Sequence, residues 1–453
     1  MRKFFGTDGI RGRANIYPMV SDFALKLGKA IATIFKNGNR KHKIVIGKDT
    51  RISGYMFENA IVSGICSVGV DAVLLGVLPT PAIAFITKSL RADAGVVISA
   101  SHNPYYDNGI KFFGPDGYKL NDELELEIEK LIEKDNFDLS PSNIGKAYRI
   151  ETAIGRYVEY VKSTFDRDID LKGLKIVIDC ANGATYKVAP MAISELGADV
   201  IVINDKPNGF NINDGCGAVN PEKLQGEVIK NNADLGISFD GDGDRVIFVD
   251  EKGEVVDGDY IMGICANYMN KQGLLNNSTV VATVMSNIGF ENSLKREGIK
   301  IIRSQVGDRY VLEEMLKGGY NLGGEQSGHI IFSDYNTTGD GLISALQLLK
   351  VLVKSGETLN RIKKFIEVYP QKLKNLPVDE KVPLEKLSKL KNVIDEIENE
   401  LQGDGRVLVR YSGTENKLRI MVEAIYEDKI DMYIDRICEV AIEDINKNKS
   451  KAE

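Results

Sequence analysis

The chain has 453 residues, of which 43% are hydrophobic and 27% charged, values typical of folded globular proteins rather than of disordered or fibrous chains. Its length is enough for about three domains. The net charge of −7 disfavours nucleic acids and anionic membranes as partners, because both are usually bound through basic surfaces.

Cysteine usage and hydropathy indicate where the protein works. Five cysteines are scattered along the chain, none in a CxxC pair: Cys66, Cys180, Cys216, Cys265 and Cys438. This pattern predicts neither a disulfide framework nor a zinc site. The chain turns polar too early for a signal peptide, and its most apolar helical stretch, residues 342–353, is short and contains Lys350. We therefore expect a cytoplasmic protein with no membrane span.

Short runs of Val and Ile alternate with longer amphipathic segments, a pattern typical of βαβ units around largely parallel sheets. Helices are predicted at residues 21–35, 122–132 and 341–354, and strands at 43–46, 95–99, 175–179, 200–203, 235–239 and 280–284. The fold class predicted for most of the chain is therefore α/β.

Three apolar runs end in a glycine-containing polar loop. They lead into Ser101, Asp240 and Glu325 respectively. Ligands bind at the carboxyl ends of strands in open α/β sheets. We therefore expect three similar α/β units that each present one loop, although a chance match of short strands would give the same pattern.

The C-terminal part has a different composition. Residues 371–402 are dense in Lys, Glu and Asp and contain Pro377 and Pro383. Two strands are predicted at 406–410 and 418–423, followed by a helix at 430–442. This arrangement predicts a smaller α+β domain.

Asp240, Asp242 and Asp244 alternate with glycines, so their carboxylates can turn toward one point. Oxygen ligands of this kind suit Mg²⁺. An EF-hand loop would need glycine where Arg245 stands, and residues 246–249 predict a strand rather than a helix. A solvated acidic turn is the other interpretation, but an Asp-Gly repeat directly after a buried strand favours a metal site.

Ser101 follows a predicted strand and can act as a nucleophile if a neighbouring group activates it. His102 is adjacent and Lys111 lies in the same segment. No G-x-S-x-G elbow surrounds the serine, which disfavours acyl transfer. A Ser/Asn/Pro turn without chemistry is the alternative.

Two further loops are candidate ligand sites. Glu325, Ser327 and His329 offer a carboxylate, a hydroxyl and an imidazole, which suit the hydroxyls or amine of a sugar. The other loop has the donors of a phosphate cradle: Arg410, Ser412, Gly413, Thr414 and Arg419. Each could also be an ordinary turn, and the glycine-rich segment around Arg11 is ambiguous alone.

Five short segments occur in one order: GTDGIRG at 6–12, SASHNP at 99–104, DGDGDR at 240–245, GEQSGH at 324–329 and RYSGTE at 410–415. Together they resemble the α-D-phosphohexomutase superfamily across essentially the whole chain. Within it, the FGT opening at 5–7, DGCGA at 214–218, TVMSN at 283–287, Gln326 and GTE at 413–415 look most like the bacterial phosphoglucosamine mutase branch. One departure is Asn416, where relatives often have proline after Thr-Glu.

The resemblance implies three similar mixed or parallel α/β domains and a smaller C-terminal α+β domain around a central cleft. The expected bounds are 1–150 for a phosphoserine domain, 151–252 for a metal-binding domain, 253–368 for a sugar-recognition domain and 369–453 for a phosphate-binding domain.

The resemblance also implies the reaction, an isomerisation of glucosamine 6-phosphate to glucosamine 1-phosphate on the route to UDP-N-acetylglucosamine. Ser101 would carry the phosphoryl group, and glucosamine 1,6-bisphosphate or a similar primer would be needed. One Mg²⁺ would be held by Asp240, Asp242, Asp244 and the phosphorylated Ser101.

Other roles follow from the same resemblance. His102 and Lys111 are both candidates for the general base, and Arg11 and Arg245 would steady the transferring group. Glu325, Ser327 and His329 would grip the sugar, while the cradle Arg410, Ser412, Gly413, Thr414 and Arg419 would hold the substrate's phosphate.

Three rival interpretations stay open on the sequence. A phosphomannomutase or phosphoglucomutase would use the same mechanism on another sugar. An aspartyl-phosphate enzyme of haloacid-dehalogenase type would use the Asp-rich loop covalently, and a non-catalytic sensor would only bind the sugar phosphate. The expected partner is a small sugar phosphate, and the chain is expected to be a monomer or a homodimer.

Overall fold

The computed structural model describes residues 2–6, 8–38, 40–412 and 416–449. They form two compact units, the first within residues 1–285 and 298–364 and the second within 286–297 and 365–453. Within the described ranges, no helix combines the length and apolarity that crossing a bilayer requires. All five cysteines carry free thiols.

The first α/β domain contains a six-stranded sheet. Its elements are β1 (Ile10–Arg13), α1 (Ser21–Phe35), β2 (Lys43–Lys48), α2 (Ser53–Ser67), β3 (Asp71–Val77), α3 (Thr80–Ser89), β4 (Ala94–Ile98), β5 (Asp107–Phe113), α4 (Asp122–Lys134) and β6 (Ala147–Arg149). The strand order is β1-β5-β4-β2-β3-β6, and β5 runs antiparallel to both of its neighbours.

The second α/β domain contains a five-stranded sheet in the order β11-β10-β9-β7-β8. Its elements are α5 (Ala153–Ser163), β7 (Lys175–Asp179), α6 (Val188–Glu195), β8 (Asp199–Ile203), α7 (Glu222–Asn231), β9 (Leu235–Phe239), β10 (Val246–Asp250) and β11 (Val255–Val256). The strand β10 directly follows the Asp-rich loop, which excludes an EF-hand there.

The third sheet has four strands in the order β13-β12-β14-β15. Elements of this region in the first unit are α8 (Gly258–Lys271), β12 (Thr279–Thr283), β13 (Lys300–Ser304), α10 (Asp308–Gly318), β14 (Leu322–Gly324), β15 (Ile330–Phe332), α11 (Gly341–Ser355) and α12 (Leu359–Ile362). The connection between β12 and β13 contains α9 (Ile288–Arg296), which belongs to the second unit.

The three sheets share one arrangement of four strands. The orders β5-β4-β2-β3, β10-β9-β7-β8 and β15-β14-β12-β13 each place an antiparallel strand beside parallel ones. In each sheet the loop into the antiparallel strand is one of the three predicted functional loops. The prediction of three similar α/β units is therefore confirmed.

The second unit is a small α+β domain. Its antiparallel sheet has the order β16-β18-β17. The elements besides α9 are β16 (Gln371–Pro377), α13 (Ser388–Leu401), β17 (Gly405–Tyr411), β18 (Lys417–Ala424) and α14 (Glu427–Lys449). Buried side chains of both helices and the sheet, such as Ile397, Ile420 and Ile437, form its core. The predicted smaller α+β domain is thus confirmed.

The predicted elements agree closely with the observed ones. The bounds of α1, β7 and β9 are those predicted, and the remaining predicted elements of the α/β domains lie within one to two residues of the observed bounds. The strands β4 and β9 are buried along their whole length, as expected for parallel strands covered by helices on both faces.

Candidate functional site

The three loops of the first unit surround a cavity of about 620 Å³. Eight of the predicted site residues line it: Arg11, Ser101, His102, Asp244, Arg245, Glu325, Ser327 and His329. Asp240, Asp242 and Lys111 are buried beside it. The similar fold of the domains thus brings together residues that are far apart in the sequence.

The Asp-rich loop between β9 and β10 forms a compact cluster of carboxylates. One carboxylate oxygen from each of three aspartates lies within 4.8 Å of the other two; the aspartates are Asp240, Asp242 and Asp244. Burial and the charges of the other two aspartates raise the pKa of Asp240 well above its usual range. Like charges buried so close together are costly unless a cation compensates them.

The free oxygens of this cluster fit a divalent cation. Oδ1 of Asp242 and Oδ1 of Asp244 are buried and have no hydrogen-bond partner among the described residues. Hard divalent ions such as Mg²⁺ prefer carboxylate oxygens and take few of them, together with phosphate or water. The donor set therefore matches the predicted metal site.

Ser101 reaches this cluster directly. Its Oγ donates a hydrogen bond to Oδ2 of Asp240 at 2.5 Å. Gly241 permits the close approach of the two loops, because a Cβ at that position would lie 2.7 Å from the Ser101 carbonyl oxygen. A group bound to Ser101 Oγ would therefore lie beside the carboxylates.

Ser101 adopts a left-handed conformation with φ of 52°, which costs a non-glycine residue about 1–2 kcal/mol. Its backbone N–H donates to Ser99 Oγ at 2.9 Å. Its carbonyl oxygen accepts from Arg51 Nη2 at 3.0 Å and from Asn213 Nδ2 at 2.9 Å. These three bonds hold the serine in the geometry that aims Oγ at Asp240.

Arg51 and Asn213 were missed by the sequence analysis. Arg51 is fully buried and pairs with Asp49, while Asn213 comes from the second domain and also donates to the Asn103 carbonyl oxygen at 3.1 Å. The available signal was the position of residues 49–51 after a strand, where ligand-site residues often lie.

The two candidate bases occupy different places. His102 lines the cavity, and its Nδ1 lies 3.4 Å from Ser101 Oγ. Burial and the charges of Arg245 and Arg11 lower the pKa of His102 to about 4. Lys111 is buried on β5, and although burial opposes it, Asp242 and other carboxylates raise its pKa.

The buried ammonium group of Lys111 offsets negative charge on the Asp-rich loop. Its Nζ lies 3.1 Å from Oδ2 of Asp242, 3.7 Å from Oδ2 of Asp244 and 3.0 Å from Oδ2 of Asp8. Burial alone would raise the pKa of Asp244, but His329 and Lys111 outweigh it and hold that pKa below its usual range.

Two arginines add positive charge around the cavity. Arg11 pairs with Asp8 and lines the wall. Arg245 lies on the opposite loop, where its backbone N–H donates to Oδ1 of Asp240 at 3.2 Å and its Nε lies 4.0 Å from Oδ1 of Asp244. Both arginines line the cavity that Ser101 also lines.

The loop between β14 and β15 forms another wall. Glu325 accepts from the Gly307 backbone N–H at 3.1 Å and from Ser327 Oγ at 3.4 Å. His329 places Nδ1 3.6 Å from Oδ2 of Asp244, and although burial opposes it, Asp244 and Asp308 raise its pKa to about 9. This wall therefore offers carboxylate, hydroxyl and imidazole groups together.

The predicted phosphate cradle lies in the second unit. Arg410 on β17 and Arg419 on β18 are directly paired across the antiparallel sheet, and burial and Arg419 lower the pKa of Arg410. The Nε of Arg419 is buried and has no hydrogen-bond partner in the described part of the chain. Like charges opposed in this way are destabilising without an anion, so the pair fits a phosphate site.

Of the remaining predicted cradle residues, the structure describes Ser412. Ser412 is buried at the end of β17, and its backbone N–H donates to the Lys417 carbonyl oxygen at 2.9 Å. Gly413 and Thr414 lie outside the described residues.

Comparisons with known proteins identify the family. Models of the four domains named phosphoglucomutase/phosphomannomutase, α/β/α domains I, II and III and C-terminal domain, match residues 2–139, 155–253, 257–369 and 373–440 respectively. The chain belongs to the phosphoglucomutase/phosphomannomutase family.

A curated relative from Citrifermentans bemidjiense named phosphoglucosamine mutase is 57% identical over 443 residues, which cover 97% of this chain and 98% of the relative. The family resemblance predicted from the sequence is therefore confirmed.

Two solved structures show the same fold at low identity. A phosphoglucomutase/phosphomannomutase family protein from Burkholderia thailandensis has a TM-score of 0.82 at 22% identity, covering 98% of both chains. The N-acetylphosphoglucosamine mutase of Aspergillus fumigatus, solved with GlcNAc-6P and magnesium, has a TM-score of 0.67 at 18% identity, covering 98% of this chain and 96% of that one.

Asn213→Ala tests whether the two hydrogen bonds from Asn213 to the carbonyl oxygens of Ser101 and Asn103 hold the serine loop in place. Losing two hydrogen bonds should lower the free energy of unfolding by about 1–3 kcal/mol. Because a small displacement of Ser101 Oγ would slow its reaction, the turnover of sugar phosphate should fall about tenfold or more. Denaturant unfolding and steady-state kinetics measure both effects.

Asn220→Ala is the matched control, since this asparagine lies in the same segment and makes no hydrogen bond to the described serine loop. Equal turnover in the two variants would contradict the claim that Asn213 positions the serine loop.

Proposed function

We propose that the chain interconverts glucosamine 6-phosphate and glucosamine 1-phosphate through a phosphorylated Ser101 and a 1,6-bisphosphate intermediate. The observation that carries this proposal is the hydrogen bond of 2.5 Å between Ser101 Oγ and Asp240 within the three-carboxylate cluster. The name phosphoglucosamine mutase borne by relatives of high identity supports the amino sugar as substrate.

We propose that one Mg²⁺ is held by Asp240, Asp242 and Asp244 together with an oxygen of the phosphorylated Ser101. The Aspergillus fumigatus mutase was solved in complex with magnesium, which supports this choice of ion. A bound Mg²⁺ neutralises charge on a transferring phosphoryl group. Arg11 and Arg245 would hold the other oxygens of that group.

In the first transfer, the sugar O1 attacks phosphorus, the bond from phosphorus to Ser101 Oγ breaks, and the O1 proton passes to a base. His102 suits this role because it lines the cavity next to Ser101. Lys111, in contrast, is buried among three carboxylates and would serve as fixed positive charge. The departing Ser101 Oγ takes up a proton at the end of the first transfer. In the second transfer, Ser101 Oγ gives up that proton and attacks the phosphorus on O6, the bond from phosphorus to O6 breaks, and O6 takes up the proton.

Between the two transfers the bisphosphate must turn over in the site. Glu325, Ser327 and His329 can hold the sugar through its hydroxyls and amine in both orientations, because each group donates or accepts at the cavity wall. Arg410, Ser412 and Arg419, with Gly413 and Thr414, would hold whichever phosphate is not being transferred. Glucosamine 1,6-bisphosphate or a similar compound would first phosphorylate Ser101.

We also propose four domains with the bounds expected from the sequence, which are 1–150, 151–252, 253–368 and 369–453. The protein would work in the cytoplasm as a monomer or homodimer. A phosphomannomutase or phosphoglucomutase remains the second candidate, because the matching family models carry both names.

Ser101→Ala tests the covalent step. The variant lacks the phosphoryl acceptor, so turnover should fall about 10³-fold or more while the fold is retained. Turnover of the wild type and the variant is measured with glucosamine, mannose and glucose 6-phosphates, each in the presence of its 1,6-bisphosphate, which also compares the three sugars as substrates. Intact-mass and peptide mapping follow the phosphate on residue 101, with Ser142→Ala as an exposed control.

Wild-type turnover by Ser101→Ala would refute the phosphoserine. A phosphoenzyme destroyed by hydroxylamine would indicate an acyl phosphate on the Asp-rich loop instead. A preference for mannose or glucose phosphates would replace the proposed sugar and leave the chemistry intact.

Arg410→Met and Arg419→Met test the cradle. Losing one charged donor to phosphate costs about 1.5–3 kcal/mol, so KM should rise roughly 10- to 100-fold. Steady-state kinetics on the full chain measure this change. Arg436→Met, which removes an arginine paired with Glu396 and Glu400 in the same unit, is the control. An unchanged KM in both cradle variants would place the phosphate elsewhere.

A further inference from the structure

Lys119 lies next to the end of β5, the strand that carries Lys111. After β5, a turn closed by the Gly114 N–H and the Tyr118 carbonyl oxygen at 2.8 Å returns the chain, and Lys119 pairs with Phe113. Directly paired residues share a face, and so do residues two apart on a strand. Lys119 and Lys111 therefore project from the same face.

Asp8 separates these two lysines. Its Oδ2 lies 3.0 Å from the Nζ of Lys111, while its Oδ1 accepts a hydrogen bond from the Nζ of Lys119. Two ammonium groups on one face repel each other, and a shared carboxylate compensates both. Lys119 and Arg11 therefore both contribute to the position of Asp8, which in turn is one of the carboxylates that contact Lys111.

Lys119 also bonds to the third domain. Its Nζ donates to Oδ2 of Asp308, the first residue of α10. The same Asp308 oxygen lies 3.5 Å from Nε2 of His329, whose Nδ1 faces Asp244 at 3.6 Å. Lys119 therefore connects the wall that carries His329 with the N-terminal loop.

These contacts close into a ring in which acidic and basic side chains alternate. In order around the ring its members are Asp8, Lys111, Asp244, His329, Asp308 and Lys119. Without Lys119, Asp8 would keep Lys111 and Arg11 as partners, and Asp308 would keep His329. Both buried carboxylates would lose part of their compensation, which favours their movement toward other cations.

Lys119 belongs to the ring but does not line the cavity that the three loops surround. Asp8, Asp244, Asp308 and His329 line the cavity of about 620 Å³, whereas Lys119 lines a neighbouring cavity of about 540 Å³. It would thus act on the reaction through Asp8 and Asp308 without touching the sugar phosphate.

We propose that Lys119 is a positioning residue for the mutase reaction. It holds Asp8 and Asp308 in place, which keeps the Lys111 ammonium on the Asp-rich loop and the His329 imidazole on the cavity wall. This inference rests on the proposed function, because it concerns the same site and the same two phosphoryl transfers.

The test compares Lys119→Met, which keeps the length and removes the charge, with Lys119→Arg, which keeps the charge. In the full chain with glucosamine 6-phosphate and bisphosphate primer, Lys119→Met should lower kcat about tenfold or more and change KM less than about twofold. Lys119→Arg should restore most of the kcat. Lys134→Met, at the exposed end of α4, is the control and should behave as wild type.

The neighbouring cavity offers a second form of the test if Lys119→Met folds poorly. Lys119→Ala should regain activity when propylammonium chloride supplies the missing cation, and should not respond to 1-propanol at the same concentration. A kcat for Lys119→Met equal to that of wild type, or equal responses of Lys119→Ala to both additives, overturns the proposal. An inactive wild type with every sugar phosphate would instead refute the proposed function itself.

Discussion

The burial of three carboxylates at one point is the constraint on which the site depends. Asp240, Asp242 and Asp244 are almost fully buried, and their mutual repulsion would be severe without compensation. The protein supplies part of the balancing charge through Lys111, His329 and nearby arginines. The remaining free oxygens face a position that suits a divalent cation, so stability and chemistry have the same electrostatic requirement.

The repeated topology explains how this charge can be assembled. In each of the three sheets an antiparallel strand directly follows a strand of the parallel part, β4, β9 or β14, so one polar loop projects from the same edge of each sheet. The loops that contain Ser101, Asp244 and Glu325 then meet at one cavity. The clustered negative charge of the Asp-rich loop is offset by Lys111 on β5 and by His329 in the loop between β14 and β15.

The sequence predicted those parts of the site that are encoded locally. Ser101 and the Asp-rich loop stand directly after apolar runs, and buried parallel strands such as β9 are continuous hydrophobic segments. The antiparallel pairing of Arg410 with Arg419 likewise follows from a short hairpin. Such features depend on neighbours within a few positions, so a pattern in the chain reveals them.

Other parts of the site could not be predicted because they depend on distant contacts. Asn213 and Ser101 are 112 positions apart, and Lys119 and Asp308 are 189 apart. Nothing in the sequence near Lys119 distinguishes it from a surface lysine beside a turn. Its role follows only from the way the first and third domains pack around Asp8.

The central claim is that the phosphoryl carrier and the carboxylate cluster share one cation. The most direct test is ³¹P NMR of the phosphorylated protein, titrated with Mn²⁺ in place of Mg²⁺. If the cation is shared, stoichiometric Mn²⁺ will strongly broaden the phosphoserine resonance, and Asp242→Asn will greatly reduce the effect. A phosphoserine signal that stays sharp while one Mn²⁺ binds per chain would contradict the claim.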